Sequence, residues 1–296
     1  MKPAPFIYHD PHSIDDALDL LARHENTRVL AGGQSLMPMM NFRYAMPDHL
    51  LDLNKVDALS YIRINAGQVA MGAMTRQRDI EFSPLIATHC PLLQEALTHV
   101  GHRQTRNRGT IGGSLCHLDP SAELANIAAL YDATIEIHSQ RGVRELPFAQ
   151  FALAYMTTAL EPDELMAGMH WPLLNNVNAD TRQGAAFVEF ARRHGDFSIV
   201  ACSAMLHLNA SGEICAARIA LSGLGHAPIR PGAIEQQLIG MHPDAATLNA
   251  AASAAQQLES TTDAYVSATY RQHLARTLTL RALTTAASRA LETCHV

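Results

Sequence analysis

The chain has 296 residues, 48% hydrophobic and 17% charged, which gives room for two or three compact units and excludes disorder. Its formal net charge of −6 argues against a nucleic-acid binder, which would usually carry a strongly basic face. The cysteines at 90, 116, 202, 215 and 294 form no Cys-x-x-Cys pair that would start a zinc or iron–sulfur ligand set, and they read as thiols of a reducing, cytoplasmic compartment.

Met1 to Asp10 carries one lysine, two prolines and no apolar run, so it reads as neither a secretory signal nor a membrane span. Ser13 is placed to cap a helix whose apolar face is Ile14, Ala17, Leu18 and Leu21, with Asp15 and Asp16 in its first turn. Val29-Leu30-Ala31 then reads as a buried strand running into Gly32-Gly33. A short crossover over Leu36 to Arg43 and a strand from His49 to Leu53 complete a βαβ-like unit.

From Ile62 the period changes to two. Ile62 and Ile64, then Val69 and Met71, predict a hairpin around 65–68. Thr75 is expected to cap a helix reaching toward Cys90, and Pro91 to open the next, over Leu92 to Val100. Asp119-Pro120 predicts an N-cap and first turn for a helix through Leu124 to Tyr131, with Asp119 and Glu123 facing the same side. Thr134 to His138 and Val143 to Leu146 predict a second hairpin. The proline- and asparagine-rich passage 171–180 is the expected domain boundary. Beyond it, long strands are expected over Phe197 to Leu208 and Glu213 to Leu224, and alanine-rich helices over Ala245 to Glu292.

Two loops carry the chemistry. Ala31-Gly32-Gly33-Gln34-Ser35 leaves a strand, and Thr110-Ile111-Gly112-Gly113-Ser114 follows Arg106, Asn107, Arg108 and Gly109. Glycine lets backbone N–H groups approach phosphate oxygens, and the hydroxyls of Ser35, Thr110 and Ser114 add donors. A single Gly-Gly pair also serves turns and strand bends, but two such loops together point to one phosphate-bearing ligand. Neither loop matches a Walker sequence or Gly-x-Gly-x-x-Gly. Arg103, Arg106 and Arg108 would supply charge to a diphosphate or simply face solvent. Asp119 would cap a helix or accept from a ribose. The sixteen histidines show no metalloprotease-type spacing, and no metal site is expected.

Ala31-Gly32-Gly33-Gln34-Ser35-Leu36-Met37-Pro38 with Asn41-Phe42-Arg43, and Arg106 to Ser114 followed by His117, Asp119-Pro120 and Glu123, resemble the FAD-binding medium subunit of the molybdenum hydroxylases. This family includes the flavoprotein subunits of carbon monoxide, nicotine, quinoline and xanthine dehydrogenases. Glu161 to Met166, Phe187 to Phe197, Tyr270-Arg271 and Arg281-Ala282-Leu283 extend the resemblance over nearly the whole chain.

The resemblance implies an α+β chain. A PCMH-type FAD-binding region, 1–177, with subdomains of about 1–55 and 56–177, would precede a C-terminal antiparallel-sheet-plus-helices domain, 178–296, resembling that of the CO dehydrogenase flavoprotein. Ala31, Gly32, Gly33, Gln34, Ser35 and Leu36, with Thr110, Ile111, Gly112, Gly113 and Ser114, would hold the FAD diphosphate. His117 and Glu123 would lie along the same cofactor, Leu165 or Met166 near the isoalloxazine, and Arg192, Arg193 and Asp196 near the flavin or a subunit interface. Relatives often carry a lysine close to Phe187, where this chain has Val188 and Glu189.

The implied partners are a large subunit with the molybdenum-pterin cofactor, a small subunit with two [2Fe-2S] clusters, and an external electron acceptor. No side chain of this chain need act as a catalytic base. A self-sufficient flavin oxidase or reductase of the same broad fold is the first alternative. A non-catalytic nucleotide-binding scaffold is the second.

Overall fold

The computed structural model describes residues 1–174 and 181–292. The chain begins with β1 (Ile7–His9), α1 (Ile14–Arg23), β2 (Thr27–Leu30), α2 (Leu36–Asn41) and β3 (His49–Asp52). The three strands form a parallel sheet in the order β1-β3-β2. The cap expected of Ser13 is present: its hydroxyl accepts from the Asp16 N–H at 3.0 Å. Ala17, Leu18 and Leu21 of α1 bury against Leu51 and Leu53, each leucine contributing roughly 1.5–3 kcal/mol on full burial. The strand β1 lies in a stretch without strand alternation. Its pairing to β3, from Ile7 opposite His49 to His9 opposite Leu51, fixes it.

Next come β4 (Ile62–Asn65), β5 (Gln68–Gly72), α3 (Gln77–Glu81), α4 (Pro84–His89), α5 (Pro91–Leu97), α6 (Arg103–Arg108), α7 (Ile111–His117) and α8 (Glu123–Leu130). They are followed by β6 (Thr134–Ser139), β7 (Gly142–Pro147), α9 (Phe148–Phe151), β8 (Ala152–Ala154), β9 (Thr157–Thr158) and β10 (Leu165–Pro172). Both expected hairpins form, and β10 enters between them to give an antiparallel sheet ordered β4-β5-β10-β6-β7. Being central, β10 is buried from Leu165 to Met169, as a strand covered on both faces must be.

Two expected caps are not caps. The Thr75 hydroxyl donates to the Tyr61 carbonyl at 2.8 Å and accepts from the Tyr61 N–H at 3.1 Å, so it ties the hairpin down while α3 starts after Arg76. The Asp119 carboxylate accepts from the Ser121 N–H at 2.8 Å in a tight turn, and α8 begins only at Glu123. Asp119 and Glu123 therefore do not share a helix face.

The remaining elements are β11 (Arg182–Ala191), β12 (Ser198–Leu208), β13 (Ile214–Ser222), α10 (Gly232–Leu238), α11 (Ala245–Ala255) and α12 (Ala268–Glu292). The three strands form an antiparallel meander, and its inner face packs Cys202, Ala204, Leu206 and Ile219 against Leu274, Leu278, Ala282 and Ala286 of α12. Arg271 is a buried tie in this layer: its guanidinium donates to the carbonyls of Ile199 at 2.7 Å and Gly223 at 2.6 Å and pairs with Asp263.

The chain divides into two compact units that interleave in sequence. The first takes Met1–Thr88, His102–Leu118 and Asp132–Pro172; the second takes His89–Gly101, Asp119–Tyr131 and the chain from Leu173. Helices α5 and α8 belong to the second unit, although they precede the expected boundary in sequence. The reason for α8 is a buried polar contact. Asn126 donates to the Ala220 carbonyl at 3.2 Å and accepts from the Ser203 hydroxyl at 2.5 Å, which satisfies an amide that would be costly inside an apolar helix face. Part of the expected boundary passage, 175–180, lies outside the described residues. No described helix is long and apolar enough to cross a membrane.

Candidate functional site

Both glycine loops lie in the first unit. Loop one leaves the carboxyl end of β2 and enters α2. Gly33 adopts φ +73°, a conformation L side chains rarely take, and this turn brings the chain into the helix. The backbone N–H groups of Gly32, Gly33, Gln34 and Ser35 make no hydrogen bond among the described residues, and neither does the Ser35 hydroxyl. The loop is held from below instead. Asn54 donates to the Ala31 carbonyl at 3.1 Å, and Gln34 folds its amide back to the Gly32 carbonyl at 3.2 Å.

Loop two connects α6 to α7 and is organised in the opposite way. The Thr110 hydroxyl caps α7 by accepting from the Gly113 N–H at 3.0 Å. The Ile111 N–H donates to the Thr75 carbonyl at 3.1 Å, and the Gly112 N–H to the Ala73 carbonyl at 2.9 Å. The Ser114 N–H is likewise engaged, by the Thr110 carbonyl at 3.2 Å. The glycines of this loop serve close packing, since a Cβ on Gly112 would lie 2.5 Å from the Ala73 Cβ. Of this loop's donors, the Ser114 hydroxyl has no hydrogen bond among the described residues.

The two loops touch. A Cβ on Gly32 would lie 2.3 Å from the Arg108 carbonyl oxygen, and one on Gly113 would lie 2.8 Å from the Thr110 hydroxyl and 3.3 Å from the Ala31 Cβ. They form one cradle whose open donors come mainly from loop one. Arg76 binds the cradle together: its guanidinium reaches both the Arg108 carbonyl and the Asn54 side chain, and its backbone bridges to Thr110. Burial, and next the neighbouring Arg108, hold Arg76 below its ordinary pKa. The Arg76 guanidinium thus stands at the back of loop one, where a cation beside N–H groups with no partner among the described residues favours an anion.

The three arginines of the preceding helix diverge. Arg106 is engaged with Glu81 in a two-pronged pair at 2.9 and 3.1 Å, while Arg103 and Arg108 remain exposed. The other expected site residues scatter too. His117 ends α7 and is half-buried. Met166 lies under α7, with the Cys116 thiol 3.7 Å from its sulfur; burial pushes that thiol up to about 12. Leu165 packs into the apolar cluster with Ala17, Leu18 and Leu51.

Glu123 belongs to the second unit, where it is buried at 5% exposure. Desolvation, the largest cause, and the nearby Glu189 charge among the others raise its pKa to about 8. Glu189 accepts from or pairs with His99 at 3.2 Å, and that contact lifts the His99 pKa above its usual value. The segment after Phe187 therefore presents a buried carboxylate with its imidazole partner. Arg192 instead lies over the Tyr265 ring at 5.4 Å, and Arg193 and Asp196 are exposed.

Sequence reasoning missed Arg76, Asn54 and His99. Arg76 has no motif around it, and only its bridge to Thr110 gives it meaning.

The family described as the FAD binding domain in molybdopterin dehydrogenase matches residues 4–174, and the CO dehydrogenase flavoprotein C-terminal domain matches residues 185–286. The chain is 38% identical to the 6-hydroxypseudooxynicotine dehydrogenase complex subunit alpha of Paenarthrobacter nicotinovorans, over 99% of this chain and 98% of that one. It is 37% identical to the caffeine dehydrogenase subunit beta of Pseudomonas sp. strain CBB1, over 98% and 97% of the two chains. Among solved structures, a chain of quinoline 2-oxidoreductase from Pseudomonas putida 86 superposes with a TM-score of 0.93 at 34% identity, covering 98% of this chain and 100% of that one. The chain belongs to the FAD-binding medium-subunit family of the molybdenum hydroxylases, flavoprotein subunits of multisubunit oxidoreductases.

Proposed function

We propose that this chain is the electron-transferring FAD subunit of a cytoplasmic molybdenum hydroxylase or dehydrogenase. Electrons reach it from two [2Fe-2S] clusters on a small partner subunit and leave to an external acceptor. The organic substrate is oxidised at a molybdenum-pterin cofactor on a large partner subunit. Similarity to dehydrogenase subunits along nearly their full length supports this division of labour.

The observation that carries the reading is the cradle. The N–H groups of Gly32, Gly33, Gln34 and Ser35, without partners among the described residues, the hydroxyls of Ser35 and Ser114, and the nearby Arg76 charge fit a diphosphate. In this reading Ala31 to Leu36 bind it directly, while Thr110 to Ser114 hold loop one in place and close the cradle. When bound, FAD supplies the redox chemistry, and the protein supplies binding, orientation and electrostatics. Thr110 fixes the start of α7 and Asn54 fixes Ala31, so the donors are positioned before any ligand arrives. His117 and Met166, in the same unit as the loops, are further candidates for contact along the cofactor.

Native mass spectrometry of the complex purified from its own source tests the assignment. One FAD on this chain and two unlike partner subunits are expected. Full substrate turnover by this polypeptide alone would overturn it.

A further inference from the structure

The small parallel sheet gathers three histidines that the sequence keeps far apart. His9 ends β1, His24 follows the last turn of α1, and His49 opens β3. Their ring centroids lie 4.2 Å apart for His24 and His49, 5.1 Å for His9 and His24, and 5.2 Å for His9 and His49, with planes within 25° of one another. The His9 Nε2 and the His49 Nδ1 are 2.9 Å apart. One of these two nitrogens must accept from the other, so at least one ring bears no charge.

One nitrogen from each ring falls within 4.8 Å of the other two, and all three residues are half-buried. Neutral imidazole is the form that ligates metals.

We propose that His9, His24 and His49 form a binding site for a divalent transition-metal ion, zinc above the others, with a fourth position open to water. The donor set decides the class of ion. Three imidazole nitrogens suit zinc, nickel or copper, whereas calcium and magnesium require oxygen ligands, and none of the three residues offers one. At Zn–N distances of about 2.0–2.1 Å, tetrahedral ligand nitrogens stand roughly 3.3 Å apart. The 2.9 Å contact opens slightly, and the widest nitrogen pair, within 4.8 Å, closes by ring rotation.

The site is separate from the phosphate cradle. His24 precedes the four residues of β2 and loop one follows them, so about 13 Å of strand lies between the two. Each ligand comes from a different element, so the ion links the three-residue strand β1, the end of α1 and the central strand β3. Its role is a clamp on the amino-terminal βαβ element.

The test uses the full-length, tag-free chain, stripped with a chelator and dialysed against zinc. One zinc per chain by elemental mass spectrometry is expected, together with a higher Tm. His24→Gln and His49→Gln weaken binding by more than about a hundredfold, exceeding the effect of losing an outer-shell partner. They also abolish the zinc-dependent rise in Tm, while His242→Gln, at an exposed position outside the cluster, changes neither. If a variant fails to fold, zinc-edge X-ray absorption of the wild type decides, with three imidazole nitrogens expected in the first coordination sphere. No stoichiometric zinc at about 10 µM free metal, equal uptake by the variants, or a first sphere without three imidazoles would overturn the site.

Discussion

Loop 31–35 and loop 109–114 each combine glycines with hydroxyl residues, but the first leaves four backbone N–H groups without a partner among the described residues, while the second turns those of residues 111–114 inward. The difference lies in what surrounds them. Loop one follows a strand end, where the sheet supplies no further acceptors and Gly33 takes positive φ to enter α2. Loop two is clasped by Ala73, Thr75 and Arg76: the two carbonyls take the Ile111 and Gly112 N–H groups, and the guanidinium takes the Arg108 carbonyl. A Gly-Gly pair thus marks either a place where a ligand approaches the backbone or a place where the backbone approaches itself. The neighbours decide between them.

The largest effects should come from side chains forced onto the loop glycines, Gly33 at its strained turn and Gly113 at the contact between the loops. Gly33→Val places a branched side chain at φ +73° beside Met37 and Leu30, and Gly113→Val drives one into Thr110 and Ala31. Both should remove flavin from the purified chain, measured by absorbance against protein. Gly112→Ala, by contrast, strikes Ala73 in the packed side of loop two. It should lower stability by about 1–3 kcal/mol in denaturant unfolding, as overpacking does. Normal flavin content in both valine variants would show that the loops do not form a cradle.

A smaller effect is expected at Arg76, which touches both loops through Arg108 and Asn54. Arg76→Ala removes charge-assisted hydrogen bonds worth about 1.5–3 kcal/mol, so FAD affinity by fluorescence titration should fall by roughly 10–150-fold. Arg76→Lys keeps charge without the planar fork and should recover only part of the loss. Equal affinities for all three proteins would separate Arg76 from the site.

The last effect concerns the second unit and appears only as a dependence on pH. Glu123 titrates near 4.5 when unfolded and about 8 when folded, so the folded chain retains its proton while the unfolded chain loses it. Stability from this group is therefore complete below about 4.5 and declines as pH rises toward 8. Glu123→Gln removes the decline, and its Tm should gain on the wild type steadily from pH 5 to pH 8. Parallel Tm profiles would contradict a buried, protonated Glu123.

Local rules written in the sequence accounted for much of the fold. Ser13 capped its helix, both hairpins turned where Gly67 and Gly142 allowed, and the long strands after 197 formed close to their expected limits. Non-local contacts were not legible. The strand β1 exists because β3 is beside it, Thr75 serves Tyr61, and α8 joins the second unit through Asn126. The same holds for the sites. The glycine loops could be read as motifs, but Arg76 and the three histidines are each brought into place by separate elements, so no spacing in the chain announces them.

The most direct measurement compares FAD with riboflavin on the chain freed of flavin, by fluorescence titration at equal temperature and salt. The account predicts that FAD binds at least about a hundredfold more tightly, because the cradle holds the diphosphate that riboflavin lacks, and that Gly33→Val removes this advantage. Equal affinities for FAD and riboflavin in the wild-type chain would contradict it.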